Sequence, residues 1–216
     1  MSEVLLTMMG PERAERMERV LDARLIGLTV LLEDVHKPAN MAACIRTVEA
    51  LGLQTVHIIE DSAEWEPNPR ITKGCDKWVD VQPHRDAVSA AKALKAQGFR
   101  ILATSLEATK TLPELDLGDR VALCFGNELH GMTPELQGLA DETFKIPMFG
   151  YSASFNLSVS VGICVQVAAA ARRAAVGKNS DLSAEERAEL RRRWIPLLRK
   201  GSDQILEAMA RRPADQ

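Results

Sequence analysis

Three polar, small-residue stretches carry the side chains best suited to chemistry. The first is HKPANMAACIRT, residues 36–47, with an amide at Asn40 and a guanidinium at Arg46. Arg46 is flanked by Ala43, Cys44, Ile45 and Val48, which suits a cation aimed at an anion along a sheet edge rather than a plain surface charge. The second is FGNELHG, residues 125–131, where a glycine follows an apolar run and Asn127 and Glu128 are expected to project over the sheet edge. The third is IPMFGYSASFNLS, residues 146–158, in which Ser154, Asn156 and Ser158 stand at the start of an apolar helix. Helix starts leave free N–H groups and a positive dipole end. Ser154 or Asn156 is therefore either an N-cap or a site residue.

These stretches need elements to hold them. Apolar runs predict strands at Leu28–Glu33, Thr55–Ile59, Trp78–Gln82, Phe99–Ser105, Val121–Phe125 and Thr143–Ile146. Between them the pattern predicts helices at Met41–Leu51, Asp86–Gln97, Pro134–Ala140 and Phe155–Val176. A first helix is expected at Pro11–Arg24, and a last one after Ser183, which forms a capping box with Glu186. Asp34–Asn40 and Glu60–Gly74 are expected to be loops. Strands alternating with helices predict an α/β domain, a mostly parallel sheet with helices on both faces. Such sheets bind ligands beyond the carboxyl ends of their strands, where all three stretches fall.

Composition narrows the function classes. Hydrophobic residues make up 46% and charged residues 26% of the 216, which is ordinary for a soluble globular chain. No run approaches the length of a membrane span and the N-terminus lacks a signal pattern, so cytoplasm is the expected compartment, with no membrane partner. The four cysteines are scattered and form neither a CxxC pair nor a zinc spacing, so no metal is expected. The chain lacks GxxxxGK[ST] and GxGxxG, which disfavours nucleoside triphosphates and ordinary dinucleotides. The net charge is −3, yet basic residues outnumber acidic ones from Arg172 onward, densest at Arg191-Arg192-Arg193. That tail is either a solvated face or a phosphate-binding patch.

In order and spacing, Asn40…Arg46, Phe125-Gly126-Asn127-Glu128 and Ile146-Pro147-Met148…Ser154-Phe155-Asn156-Leu157-Ser158 resemble the three motifs of the SpoU/TrmH family of SPOUT RNA 2′-O-methyltransferases. The resemblance spans about Leu28 to Val165. VHKPANMAACIRT and Lys77-Trp78-Val79 look most like members that methylate the D-loop guanosine of tRNA. The resemblance implies a SPOUT α/β fold with a deep trefoil knot in its C-terminal half. It implies S-adenosylmethionine as cofactor, tRNA as substrate and a homodimer built partly on the Phe155–Ala171 helix. It divides the chain into an N-terminal helical extension at 1–27, a methyltransferase domain at 28–176 and a basic helical extension at 177–216.

Carried over position by position, Arg46, Asn40, Glu128, Ser154 and Asn156 are the implied catalytic residues. Thr104, Gly126, Ile146, Met148 and Phe155 are the implied cofactor contacts. Arg46 would either accept the proton of the ribose hydroxyl or stabilise the developing alkoxide. A guanidinium stays protonated at ordinary pH, which favours the second role. Terminal helices grip tRNA in related enzymes, so Arg13, Arg16, Arg191, Arg192, Arg193 and Arg199 are the candidate RNA contacts. The chain departs from the family pattern at Phe155, where Leu is usual, and at Ala153, where Gln is usual.

Two other functions compete. One keeps the chemistry and changes the acceptor to rRNA or another tRNA position. Many rRNA-acting relatives carry an extra N-terminal domain, while few residues precede the first strand here, which favours tRNA. The other is a non-catalytic RNA-binding protein on the same fold, which would be expected to lack Arg46 or Asn156.

Overall fold

A computed structural model describes residues 10–59, 72 and 74–198. The chain divides into two compact units, Leu25–Asp181 and the pair of segments Met1–Arg24 and Leu182–Gln216.

The larger unit is a six-stranded sheet in the order β3-β2-β1-β5-β4-β6. Its strands are β1 (Leu28–Glu33), β2 (Thr55–Ile59), β3 (Asp80–His84), β4 (Arg100–Thr104), β5 (Val121–Phe125) and β6 (Glu142–Phe144). Every neighbouring pair is parallel. β1 and β5 lie side by side at the centre and every residue of both is buried. Their apolar runs follow from that position, because a parallel sheet is covered on both faces.

Alternation sorts the two faces. Leu28, Val30 and Leu32 of β1, with Val121, Leu123 and Phe125 of β5, pack with the helices α2 (Pro38–Ala50) and α5 (Leu157–Val176). Leu31, Ala122 and Cys124 point the other way, into the cluster made with α3 (Ala87–Ala96) and α4 (Pro134–Leu139). The chain steps outward from β1 through β2 to β3, then crosses to the other half, where β5 takes the place beside β1. At such a switch the connections leaving neighbouring strands diverge and open a crevice at their carboxyl ends.

Several expected boundaries move. Asn40 lies inside α2, not in the preceding loop, because the helix begins at Pro38, a residue suited to a first turn. β3 starts two residues late because Cys75–Trp78 forms a 3-10 turn. It holds Pro83, tolerated because β3 is an edge strand. β6 ends at Phe144, and α5 begins at Leu157 with Asn156 as its cap. Most of the expected loop Glu60–Gly74 lies outside the described residues.

One compositional expectation is corrected. At 20 residues α5 is long and apolar enough to cross a membrane by length and composition alone. Its Leu157, Val161, Cys164 and Val165 are buried in the core beside the sheet. Near its end, Arg172 donates to Asp181 at 2.8 Å and to the Gly118 carbonyl at 2.5 Å. Asp181 in turn accepts from the Ile26 and Gly27 amides at 2.6 and 2.9 Å.

The smaller unit contains α1 (Pro11–Leu21) and α6 (Ala184–Leu197). Ser183 caps α6 and Glu186 closes the capping box, as its sequence predicts. Glu18 receives both Arg187 and Arg191, at 2.8 and 2.7 Å, and Asp22 receives Arg187 at 2.8 Å. The Arg24 guanidinium lies over the Trp194 ring at 4.9 Å.

Candidate active site

A cavity of about 760 Å³ opens where the carboxyl ends of β4, β5 and β6 meet the first turn of α2. That volume is in the usual range for a small-molecule site. Asn40, Thr104, Gly126, Glu128, Ile146, Met148, Ser154, Phe155 and Asn156 all line it. Nine of the ten residues expected in the catalytic and cofactor sets therefore converge on one place.

Side-chain hydrogen bonds join its walls. The Asn40 amide donates to Glu128 Oε1 at 2.5 Å, and its carbonyl accepts from Asn156 Nδ2 at 3.2 Å. Asn156 Oδ1 also accepts from the Ser158 amide at 2.9 Å and from the Ser158 hydroxyl at 2.7 Å. Asn156 is thus both the N-cap of α5 and a member of the site, which the sequence offered as alternatives.

Asn127 differs from expectation. It does not project over the sheet edge; it is buried and folds back across β1. Its amide donates to the Asp34 carbonyl at 2.9 Å, while its own carbonyl accepts from the Leu129 and His130 amides at 2.6 and 3.2 Å. Asp34 holds a positive φ of 49°, which turns the chain sharply after β1. Asn127 thereby fixes the loop that presents Glu128. Gly126 is needed for a different reason from ligand approach alone. A Cβ there would meet Gly131 and Met132 backbone atoms at 2.2 Å.

Arg46 is the member placed elsewhere. At about 100° per residue, the six steps from Asn40 leave it about 120° round α2. It is exposed and does not line the cavity. The electrostatics agree with that phase. Burial and then the nearby Glu128 push the Cys44 thiol up to about 12, whereas the charge of Arg46 is felt at Cys75. Cys44 lies about one turn from Asn40 on the cavity side of α2 and is no nucleophile at neutral pH.

The cavity's chemistry discriminates between ligands. Its walls combine Ile146, Met148, Phe155 and Leu106 with Glu107 and Glu128. Apolar walls with charged side chains of both signs suit an organic ligand that carries both apolar and charged parts. Lys37 and Lys145 also line it and take part in no salt bridge among the described residues. Thr104 turns its hydroxyl to the Cys124 carbonyl at 3.1 Å, leaving backbone as its chief offering to a ligand. Among the described residues, no cluster of three His, Cys, Asp or Glu side chains could hold a metal ion.

Sequence reasoning missed Lys37, Ser105, Leu106 and Glu107 as lining residues. The signal for the last three was available, since the loop after β4 lies at a strand carboxyl end. Of the arginines expected to meet RNA, Arg13 donates to the Leu198 carbonyl at 3.3 Å, Arg191 pairs with Glu18, and Arg192 pairs with Glu189 at 2.5 Å. Arg16 and Arg193 are exposed, and Arg199 lies outside the described residues.

Comparison with known proteins gives concordant results. The SpoU rRNA Methylase family matches residues 27–166. A Borreliella burgdorferi relative named tRNA (guanosine(18)-2′-O)-methyltransferase is 40% identical over 161 residues, covering 74% of this chain and 74% of its own length. The crystal structure of the Aquifex aeolicus TrmH/SpoU tRNA modifying enzyme superposes with a TM-score of 0.77 at 31% identity, covering 85% of this chain and 95% of that one. An AdoMet-bound rRNA methyltransferase from Sinorhizobium meliloti superposes with a TM-score of 0.59 at 26% identity, covering 65% and 55%.

Proposed function

The chain belongs to the SpoU rRNA Methylase family, and from that premise we propose that it methylates the ribose 2′-hydroxyl of guanosine 18 in tRNA. The carrying observation is the Asn156–Asn40–Glu128 network at the cavity mouth, in a chain resembling relatives that bear this activity. S-adenosylmethionine, the proposed cofactor, supplies a methyl group already activated on a sulfonium, so the reaction calls for no metal. The five candidate contacts Thr104, Gly126, Ile146, Met148 and Phe155 suit its adenosine end, and the carboxylates suit its positive charge. The deep trefoil knot belongs to this proposal, as does the division into extensions at 1–27 and 177–216 around a domain at 28–176.

The protein's own residues have the remaining work. The ribose hydroxyl must be placed in line with the methyl group and must lose a proton. Ser154 and Asn156 shape the loop against which the ribose rests, and Asn40 with Glu128 holds that loop to β5. Arg46 stays protonated and stabilises the charge that develops on the ribose oxygen, while an RNA phosphate or a water takes the hydroxyl proton. It points away from the cavity of its own protomer, so in this reading it acts at the cavity of a second copy. The half-exposed apolar stripe of Val159 and Ile163 on α5, with Phe155 just before its cap, is the proposed homodimer surface. Arg13, Arg16, Arg191, Arg192, Arg193 and Arg199 are proposed phosphate contacts, which would hold the tRNA without reading its sequence. A cytoplasmic location follows from the substrate.

Radiolabelled methyl transfer to unmodified tRNA and rRNA transcripts, followed by nuclease mapping, tests this. Label at guanosine 18 of tRNA supports it. Label in rRNA alone keeps the chemistry and overturns the acceptor.

A further inference from the structure

The chain's single tyrosine and one of its five phenylalanines stand on either side of Gly150. Tyr151 is 109% exposed and Phe149 97% exposed, whereas Phe99, Phe125 and Phe144 are buried. A fully hydrated phenylalanine ring contributes nothing to the core and has no polar atom to offer water. These two sit between Met148 and Ala153, both of which line the cavity, and a Cβ at Gly150 would meet nothing within 4 Å. Leu106 and Leu129, also of the lining, are 76% and 75% exposed. The site mouth therefore has an apolar border that folding leaves uncovered.

We propose that Phe149 and Tyr151 are a stacking platform for nucleobases adjoining the nucleotide whose ribose enters the cavity. This rests on the RNA methyltransferase reading and adds the surface that holds the strand. A ribose can reach a concave site only if its nucleotide leaves the stack, and the neighbouring bases then expose their faces. Aromatic side chains accept such faces regardless of base identity. Lys37 and Lys145, on the same lining, supply positive charge for the connecting phosphates. Exposed aromatics beside lysines are the pattern of single-strand grooves.

The test uses the full chain and an unmodified tRNA transcript, with binding measured across a salt series. Phe149→Ala and Tyr151→Ala are each expected to weaken binding by about ten-fold. That loss is expected to be equal at low and high salt, because stacking releases no counterions. Lys37→Ala and Lys145→Ala are expected instead to lower the salt slope, by about 1 each. Tyr151→Phe is expected to behave as wild type. Affinity for S-adenosylmethionine and sedimentation mass are expected to stay unchanged in every aromatic variant. The platform is overturned if the alanine variants bind and methylate tRNA like wild type. It is equally overturned if their loss comes with a change in assembly mass, which would place the rings in a contact between copies. A wild-type protein that neither binds nor methylates RNA overturns the methyltransferase reading, and the platform with it.

Discussion

Asn40 and Glu128 stand 88 residues apart in the chain, yet the amide of one donates to the carboxylate of the other at 2.5 Å. The same Asn40 accepts from Asn156, 116 residues further on. One side chain thus uses both its donor and its acceptor to hold three segments around the cavity.

Removing either partner should loosen the site rather than the fold. Glu128→Ala and Asn40→Ala are each expected to lower kcat by about a hundred-fold, the usual cost of misplacing reacting groups by about 1 Å. The melting temperature is expected to stay close to wild type, since Asn40 and Glu128 are not fully buried. Single-turnover kinetics with thermal melts on the same preparations would show whether the two separate. A kcat near wild type would mean that the hydrogen bond does not position the ribose.

The phase of Arg46 on α2 predicts behaviour that depends on assembly. Arg46→Ala and Asn156→Ala should each be nearly inactive alone. Mixed dimers of the two would contain one intact cavity facing one intact Arg46, so partial activity should return on co-refolding. No recovery from verified mixed dimers would place Arg46 at the cavity of its own protomer.

A histidine pair, one member of it buried, gives the fold a pH dependence. His57 Nδ1 and His84 Nε2 lie 2.8 Å apart with stacked rings, and His57 is buried. Burial, reinforced by His84, lowers His57 from 6.5 to about 4, and burial also lowers His84. The unfolded chain therefore binds protons over a range in which the folded chain refuses them. Stability is full above about 6.5 and falls as pH drops toward 4, by about 3 kcal/mol from His57. Urea unfolding of wild type and His57→Gln across this range should show the steeper loss in wild type. Parallel curves would refute the assignment.

Asp181 bears a structural role. It holds the Ile26 and Gly27 amides just before β1 and pairs with Arg172. Asp181→Ala leaves two donors and a largely buried guanidinium without it, and should cost about 3–5 kcal/mol. A loss below about 1 kcal/mol in denaturant titration would mean that water replaces it readily.

Much of the architecture was legible because burial wrote it into the residues. Leu28–Glu33, Thr55–Ile59 and Val121–Phe125 are predicted to the residue, since each is apolar from end to end or nearly so. The edge strands β3 and β6 shifted because half-exposed strands tolerate proline and charge, which blurs their limits. The network through Asn40, Glu128 and Asn156 was foreseeable as three polar stretches at strand ends. The placing of Arg46 was not, because it depends on the phase of α2, and that phase depends on a helix start at Pro38. The inward turn of Asn127 was likewise hidden, since its partner is a backbone carbonyl at Asp34.

The most direct measurement is methyl transfer from labelled S-adenosylmethionine to unmodified tRNA, comparing wild type with Arg46→Ala and mapping the label by nuclease digestion. The predicted result is a 2′-O-methyl group at guanosine 18 with wild type and almost none with the variant. Transfer to a different nucleotide, or equal transfer by the variant, would contradict it.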